Sequence, residues 1–128
     1  MSYSFSKTVD YSFEEAISKT TDELKKEGFG ILTEIDVKET LKKKLDVDFR
    51  KYKILGACNP PFAYQALQYE DEVGTMLPCN VIIQEIKEGS VKISAIDPVA
   101  SMMAVKNEKL ATVAAEVREK LKKVIYNL

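Results

Sequence analysis

The sequence predicts an α+β fold of two layers, in which helices pack on one face of an antiparallel sheet. The first observation is the order of predicted elements, β-α-β-(α)-β-(α)-β-β-α, whose last two strands are joined by a tight turn. The second is a pair of long amphipathic helices, one after the first strand and one at the end of the chain. Such helices can cover a sheet whose strands have local connections.

The first elements are predicted from side-chain alternation and capping residues. Residues 2–9 alternate apolar and polar side chains with the period of a half-buried strand, and Lys7 is the one interruption on the apolar side. Ser12 and Glu15 have the spacing of a capping box, and Gly28 ends the helix that they begin. Three elements follow in order: a strand at residues 29–35, a short helix at residues 37–45 and a strand at residues 51–58.

The second half of the chain begins with a short helix and a hairpin. Asn59 is a preferred N-cap residue, and Pro60 at the first helical position gives up an N–H that would be unpaired anyway. Residues 78–86 and 90–96 are predicted to form a hairpin across the turn Glu88-Gly89. The remaining elements are a helical turn capped by Asp97 and a long amphipathic helix from Asn107 onward.

The predicted hairpin carries apolar side chains on both of its faces. With a two-residue turn, Ile82 faces Ala95 on one side, while Val81 and Ile83 point to the other side. A sheet that is apolar on both sides needs a second cover, which a second copy of the chain could supply. We therefore expect a homodimer.

Composition restricts the kind of protein. A chain of 128 residues with 45% hydrophobic residues can bury a core of its own, so residues 1–128 are predicted to form one domain. The formal net charge of −1 gives no overall attraction to nucleic acid or anionic lipid. The chain also lacks a signal-peptide pattern and a membrane-spanning apolar run, which indicates a soluble, cytoplasmic protein with neither nucleic acid nor membrane as partner.

The absence of histidine excludes several kinds of site. A Ser-His-Asp triad, a Cys-His pair and a histidine metal ligand are all impossible. The glycine-rich patterns of the common nucleotide-binding loops are missing as well. We therefore predict no cofactor and no metal site, and the two cysteines become the first candidates for chemistry.

Cys58 and Cys79 are predicted to lie at the same edge of the sheet. Cys58 ends the third strand directly before a helix, and Cys79 begins the fourth strand. A helix N-terminus stabilises a thiolate, so Cys58 is a candidate nucleophile. The alternatives are two buried cysteines that pack as small hydrophobic residues, or a reversible disulfide between the two. A zinc site would need two more ligands and is not expected.

Several polar residues near these cysteines are candidate ligand-binding residues. Asn59 either caps the following helix or orients a ligand at its end. Asn80 is expected to lie opposite Asp97, where the two side chains either close the end of the sheet or line a pocket. Pro60 and Tyr64 belong to the short helix that would roof this edge.

Four segments of the chain resemble the domain of unknown function 302 (DUF302) family. They read "GFGILTEIDVKETLKKKL", "YKILGACNPPFAYQAL", "GTMLPCNVII" and "IDPVASM", and the most specific parts are "GACNP" and "LPCNV". The resemblance implies a β-α-β(4)-α domain with a curved antiparallel sheet, like that of the TATA-binding protein class, and it implies dimers. It implies no reaction.

Three hypotheses of function remain open. The first is a homodimeric module that binds a small ligand or senses thiol oxidation at the edge marked by Cys58 and Cys79. The second is an enzyme with a thiolate nucleophile at a helix N-terminus and no histidine base. The third is a purely structural or interaction domain whose cysteines are buried.

Overall fold

A computed structural model describes residues 2–128 and contains one five-stranded sheet. The strands lie in the order β1-β5-β4-β3-β2, and every neighbouring pair is antiparallel. The strands are β1 Ser4–Val9, β2 Gly30–Asp36, β3 Tyr52–Cys58, β4 Cys79–Lys87 and β5 Ser90–Ile96. The predicted α+β class with an antiparallel sheet is confirmed.

Residues 2–128 also form five α-helices and one 3₁₀ helix, which connect or follow the strands. They are α1 Phe13–Lys26, α2 Val37–Leu45, α3 Pro60–Tyr69, α4 Pro98–Ser101, α5 Glu108–Tyr126 and the 3₁₀ helix Asp71–Met76. The cap predicted for α1 is present, because the Ser12 hydroxyl accepts a hydrogen bond from the Glu15 N–H at 3.1 Å. Gly28 follows α1 with a φ of +86°, which is easily adopted only by glycine. Among residues 2–128, no helix has the length and apolarity to cross a bilayer.

The core lies between α1, α5 and one face of the sheet, which we call the inner face. The apolar side chains of this face on the three central strands are all buried: Leu55, Ala57, Cys79, Val81, Ile83, Val91, Ile93 and Ala95. Helix α5 covers them with a buried stripe at spacings of three and four residues, from Leu110 to Ile125. Each fully buried Leu, Ile or Val contributes roughly 1.5–3 kcal/mol through the hydrophobic effect, so this layer accounts for much of the stability.

Lys7, the interruption in the first strand, lies beside the end of α5. Its Nζ donates a hydrogen bond to the Tyr126 carbonyl at 3.3 Å and another to the Leu128 carbonyl. The last carbonyls of a helix carry partial negative charge, which a lysine stabilises. The lysine therefore ties the edge strand to α5 without placing an unpaired charge in the core.

The β4–β5 hairpin differs from its predicted register by one residue. Val81, rather than Ile82, pairs with Ala95, and the register shifts between Glu85 and Lys87. A two-residue turn of the most regular type needs positive φ at both central residues, whereas only Gly89 of this turn has it. The bulge that results leaves Ile86 as the extra residue and turns Val81 and Ile83 towards the core.

The opposite face of the sheet, the outer face, is mixed rather than fully apolar. One row of directly paired residues crosses it in the order Ile35, Ile54, Ile82, Ser94 and Ser6. The two serine hydroxyls are hydrogen-bonded at 2.8 Å, and Ile35 is 47% exposed. In this row the apolar side chains are thus confined to β2, β3 and β4.

Candidate functional site

A cavity of about 350 Å³ lies where one end of the sheet meets α3 and α5. Its wall includes Ala57 and Cys79 from the sheet, Phe62 and Ala66 from α3, and Val113 and Val117 from α5. Within the part of the chain that the structure describes, no aspartate, glutamate, lysine or arginine belongs to the wall. Apolar molecules therefore fit this space better than charged ones.

Small side chains leave this space open. Ala57 on β3, Ala66 on α3 and Ala114 on α5 all line the cavity, and each is almost completely buried. Larger residues at these positions would fill the gap, since protein interiors otherwise pack closely. The sequence signal for the cavity was therefore the alanines on the inner sides of α3 and α5, which sequence patterns alone do not distinguish from ordinary core positions.

Part of the cavity wall is exposed to solvent on β2 and α3. Leu32 and Leu67 belong to the cavity wall and yet are 66% and 43% exposed. Leu32 lies at a register shift between Ile31 and Thr33, where β2 departs from regular pairing with β3. Side chains that are both exposed and in the wall mark the opening, so the cavity connects with solvent there.

Cys79 is the first residue of β4 and lies on the inner face, directly opposite Ala57. Burial raises the pKa of its thiol to about 11, and the negative charge of an ionised Cys58 adds a smaller increase. At neutral pH the Cys79 thiol therefore stays protonated, and it packs as an apolar group.

Cys58 ends β3 and is partly exposed, and both cysteines are free. Neighbouring residues of a strand point to opposite faces, so Cys58 and Cys79 are not side by side even though Ala57 faces Cys79. The expected pairing of the two thiols, including a disulfide between them, is therefore wrong, although both residues lie at the predicted edge of the sheet. The two residues border the same cavity as separate thiols.

The N-terminus of α3 offers few hydrogen-bond donors to an anion or a thiolate. Pro60 and Pro61 have no N–H, and the N–H of Ala63 bonds to the Asn59 carbonyl at 2.9 Å. The stabilisation that we expected for a thiolate at Cys58 depends on such donors. This helix end therefore gives little support to a thiolate nucleophile.

Asn59 occupies the N-cap position of α3, but its side chain makes no bond to that helix. Instead its Nδ2 donates a hydrogen bond to the Glu27 carbonyl at 3.0 Å and ties the end of α1 to the start of α3. Asn59 is 8% exposed and belongs to the cavity wall. Of the predicted ligand-binding residues, it is the one that the fold brings to the cavity with the two cysteines.

The other predicted ligand-binding residues lie outside the cavity wall. Pro60 is exposed, and Tyr64 is 65% exposed on α3. Asn80 is exposed on β4 and does not face Asp97, because the register differs from the one we assumed. Asp97 caps α4 and accepts a hydrogen bond from Arg118 Nε at 3.2 Å, so its carboxylate joins α4 to α5.

The fold and the cavity together define a class: a small two-layer α+β protein with an apolar cavity at one end of its sheet. The family model described as "Domain of unknown function DUF302" matches residues 5–128, so the chain belongs to the DUF302 family. The resemblance seen in the sequence is thereby confirmed.

A solved structure has the same fold. The chain is similar to the protein described as "Crystal structure of uncharacterized conserved protein DUF302 from Bacillus stearothermophilus", with a TM-score of 0.90 and 28% sequence identity. The similarity covers 98% of each chain. A search of curated proteins found no significant match.

Proposed function

We propose that this protein binds a small, largely apolar molecule in the cavity between the sheet, α3 and α5. The observation that carries the proposal is the cavity itself, about 350 Å³ in volume and lined without a single charged side chain. Small-molecule sites typically occupy about 300–1,000 Å³ and have mostly apolar walls with a few polar groups.

The cavity volume limits the size of the ligand. Taking about 30 Å³ for each water-sized group, the cavity holds about twelve such groups. A compact molecule of about ten to twelve non-hydrogen atoms, such as a two-ring aromatic compound, matches this volume. Apolar cavities tend to stay free of water and to bind apolar molecules, which favours such an occupant.

The other hypotheses have weaker support. A thiolate enzyme would need an activated cysteine, whereas Cys79 has a raised pKa and α3 begins with two residues that lack an N–H. Sensing through a disulfide between the two cysteines is not part of this proposal. A homodimer is compatible with the proposal, because one chain supplies every residue of the cavity wall and a second copy need not contribute any.

The proposal is tested by titrating the protein with naphthalene and following naphthalene fluorescence. The chain contains no tryptophan, so the protein adds little background signal. We expect saturable binding of one naphthalene per chain. Replacing Ala114, which is 3% exposed and lines the cavity, by phenylalanine fills the space and should weaken binding at least tenfold.

Ala115→Phe is the matched control, because Ala115 is the next residue on α5 and is exposed. This variant should bind naphthalene as the unaltered protein does. If Ala114→Phe does not fold, Ala66→Leu takes its place in the test, because it adds a smaller side chain to the same cavity from α3. Absent or unsaturable binding, or equal binding by a folded cavity-filling variant, would show that the proposal is wrong.

A further inference from the structure

The orientation of the Asn59 amide is determined by its partner. Nδ2 donates to the Glu27 carbonyl at 3.0 Å, and a carbonyl oxygen can only accept, so the nitrogen must be the atom that faces Glu27. Oδ1 of the same amide therefore points away from this partner. It remains an acceptor with two lone pairs.

No hydrogen-bond donor among residues 2–128 reaches Oδ1 of Asn59. The residue is nevertheless more than nine-tenths buried, at 8% exposure. Among residues 2–128, no fully enclosed side-chain nitrogen or oxygen lacks a hydrogen-bond partner. Because Oδ1 of Asn59 has no such partner, it is not fully enclosed and is accessible to a small group. Since Asn59 belongs to the cavity wall, a molecule in the cavity can supply the missing donor.

Apart from Asn59, the cavity wall has few groups that could recognise a polar ligand. Besides Asn59, its side chains are apolar except for the thiols of Cys58 and Cys79, which are weak hydrogen-bonding groups. No lysine or arginine is present to pair with an anion. The free amide oxygen would repel a carboxylate, since both are acceptors.

We infer that the cavity selects an uncharged, largely apolar molecule carrying one hydrogen-bond donor, a hydroxyl or an N–H group, which bonds to Oδ1 of Asn59. This inference rests on the proposed function and goes further, because it assigns the chemical class of the ligand. Selectivity of this kind arises because a buried acceptor left without a partner penalises ligands that lack the donor.

The test compares four probes of nearly equal size at pH 7 by fluorescence titration. Naphthalene has no polar group, 2-naphthol has a donor, 2-methoxynaphthalene has only an acceptor and 2-naphthoate is an anion. We expect 2-naphthol to bind about tenfold more tightly than naphthalene, a typical effect of one net hydrogen bond. We expect 2-methoxynaphthalene to bind no more tightly than naphthalene, and 2-naphthoate to bind most weakly.

The variant Asn59→Leu should abolish the roughly tenfold preference for 2-naphthol over naphthalene, whatever its effect on the affinity for both probes. Circular dichroism and a cooperative urea transition report whether the variant is folded. Asn80→Leu is the matched control, because Asn80 also follows a cysteine but is exposed and outside the wall. It should leave the preference for 2-naphthol intact. If Asn59→Leu does not fold, the order of the four probes by their affinity for the unaltered protein decides whether the inference is correct.

The outcomes separate this inference from the proposed function. If none of the four probes binds, the cavity is not a ligand site and both fail. If naphthalene binds but 2-naphthol has no advantage, or if 2-naphthoate binds most tightly, the proposed function stands and this inference is wrong. A preference for 2-naphthol that survives in folded Asn59→Leu would equally exclude Asn59 as the acceptor.

Discussion

The thiol of Cys79 is located where ionisation is unfavourable. It lies on the inner face of the sheet, opposite Ala57, and its thiolate would lose most of its hydration there. The position of Cys79 at the start of a strand was predictable from the sequence. Its protonation was not, because burial depends on how the helices pack over the sheet.

We expect alkylation of Cys79 to show this raised pKa. In a Cys58→Ser variant, the rate of reaction with iodoacetamide should rise about tenfold per pH unit from pH 7 to pH 10 without a plateau, because only the thiolate reacts. The same variant unfolded in urea should level off near pH 9, since a free cysteine has a pKa of about 8.5. A plateau below pH 9 in the folded variant would contradict the proposed burial.

Asn59 shows a second limit of prediction from the sequence at the scale of single residues. Its N-cap position before two prolines was predictable, because the prolines fit only the first turn of a helix. The bond from its side chain to the Glu27 carbonyl was not predictable. The two residues are far apart in the sequence, and only the packing of α1 against the sheet brings them together.

Thr33 of β2 and Pro78, the residue before β4, both lie close to Gly56 of β3. A Cβ atom on Gly56 would lie 2.1 Å from Thr33 Oγ1 and 2.8 Å from Pro78 Cγ. Both distances are shorter than van der Waals contact, so this position on the outer face accepts only glycine without rearrangement.

We expect Gly56→Ala to lower the free energy of unfolding by about 1–3 kcal/mol, the usual cost of overpacking. Urea denaturation with linear extrapolation measures the change. Gly30→Ala is the control, because nothing lies within 4 Å of a Cβ at that glycine of β2. Adding Thr33→Ala to Gly56→Ala should restore part of the loss. Equal stability of the two single variants would refute the close approach.

The hairpin marks the limit of prediction at the scale of elements. Both strands and the turn were predictable from side-chain pattern and from Gly89. The bulge at Ile86 was not, because the sequence allows either register and only the gain from burying Val81 and Ile83 decides between them. A shift of one residue exchanges the two faces, so the expected Asn80–Asp97 contact was lost with it.

At the scale of the whole molecule, the order of elements was sufficient for the fold class. The connections from β2 to β5 join neighbouring antiparallel strands, and the buried stripe of α5 determines which face is covered. The cavity could not be predicted in the same way. It depends on where alanines from β3, α3 and α5 meet, which is a property of three-dimensional packing.

Association of two copies remains a prediction, and the row of isoleucines on the outer face is where we expect it. Light scattering should give a mass of twice the chain's 14.4 kDa. Ile82→Lys, in the middle of that row, should give the mass of a single chain, since a buried lysine opposes contact. Tyr64→Lys, at an exposed position on α3, should not change the mass. A single-chain mass for the unaltered protein would exclude the homodimer.

The opening between Leu32 and Leu67 has a consequence for the kinetics of exchange. Because these two side chains are exposed, we expect a guest molecule to pass between β2 and α3 when they rotate, while α5 stays docked on the sheet. Rotamer changes of exposed side chains take nanoseconds or less, whereas detachment of a core helix requires partial unfolding. Release should therefore be fast compared with the opening of the core, so the occupant would equilibrate readily with its surroundings.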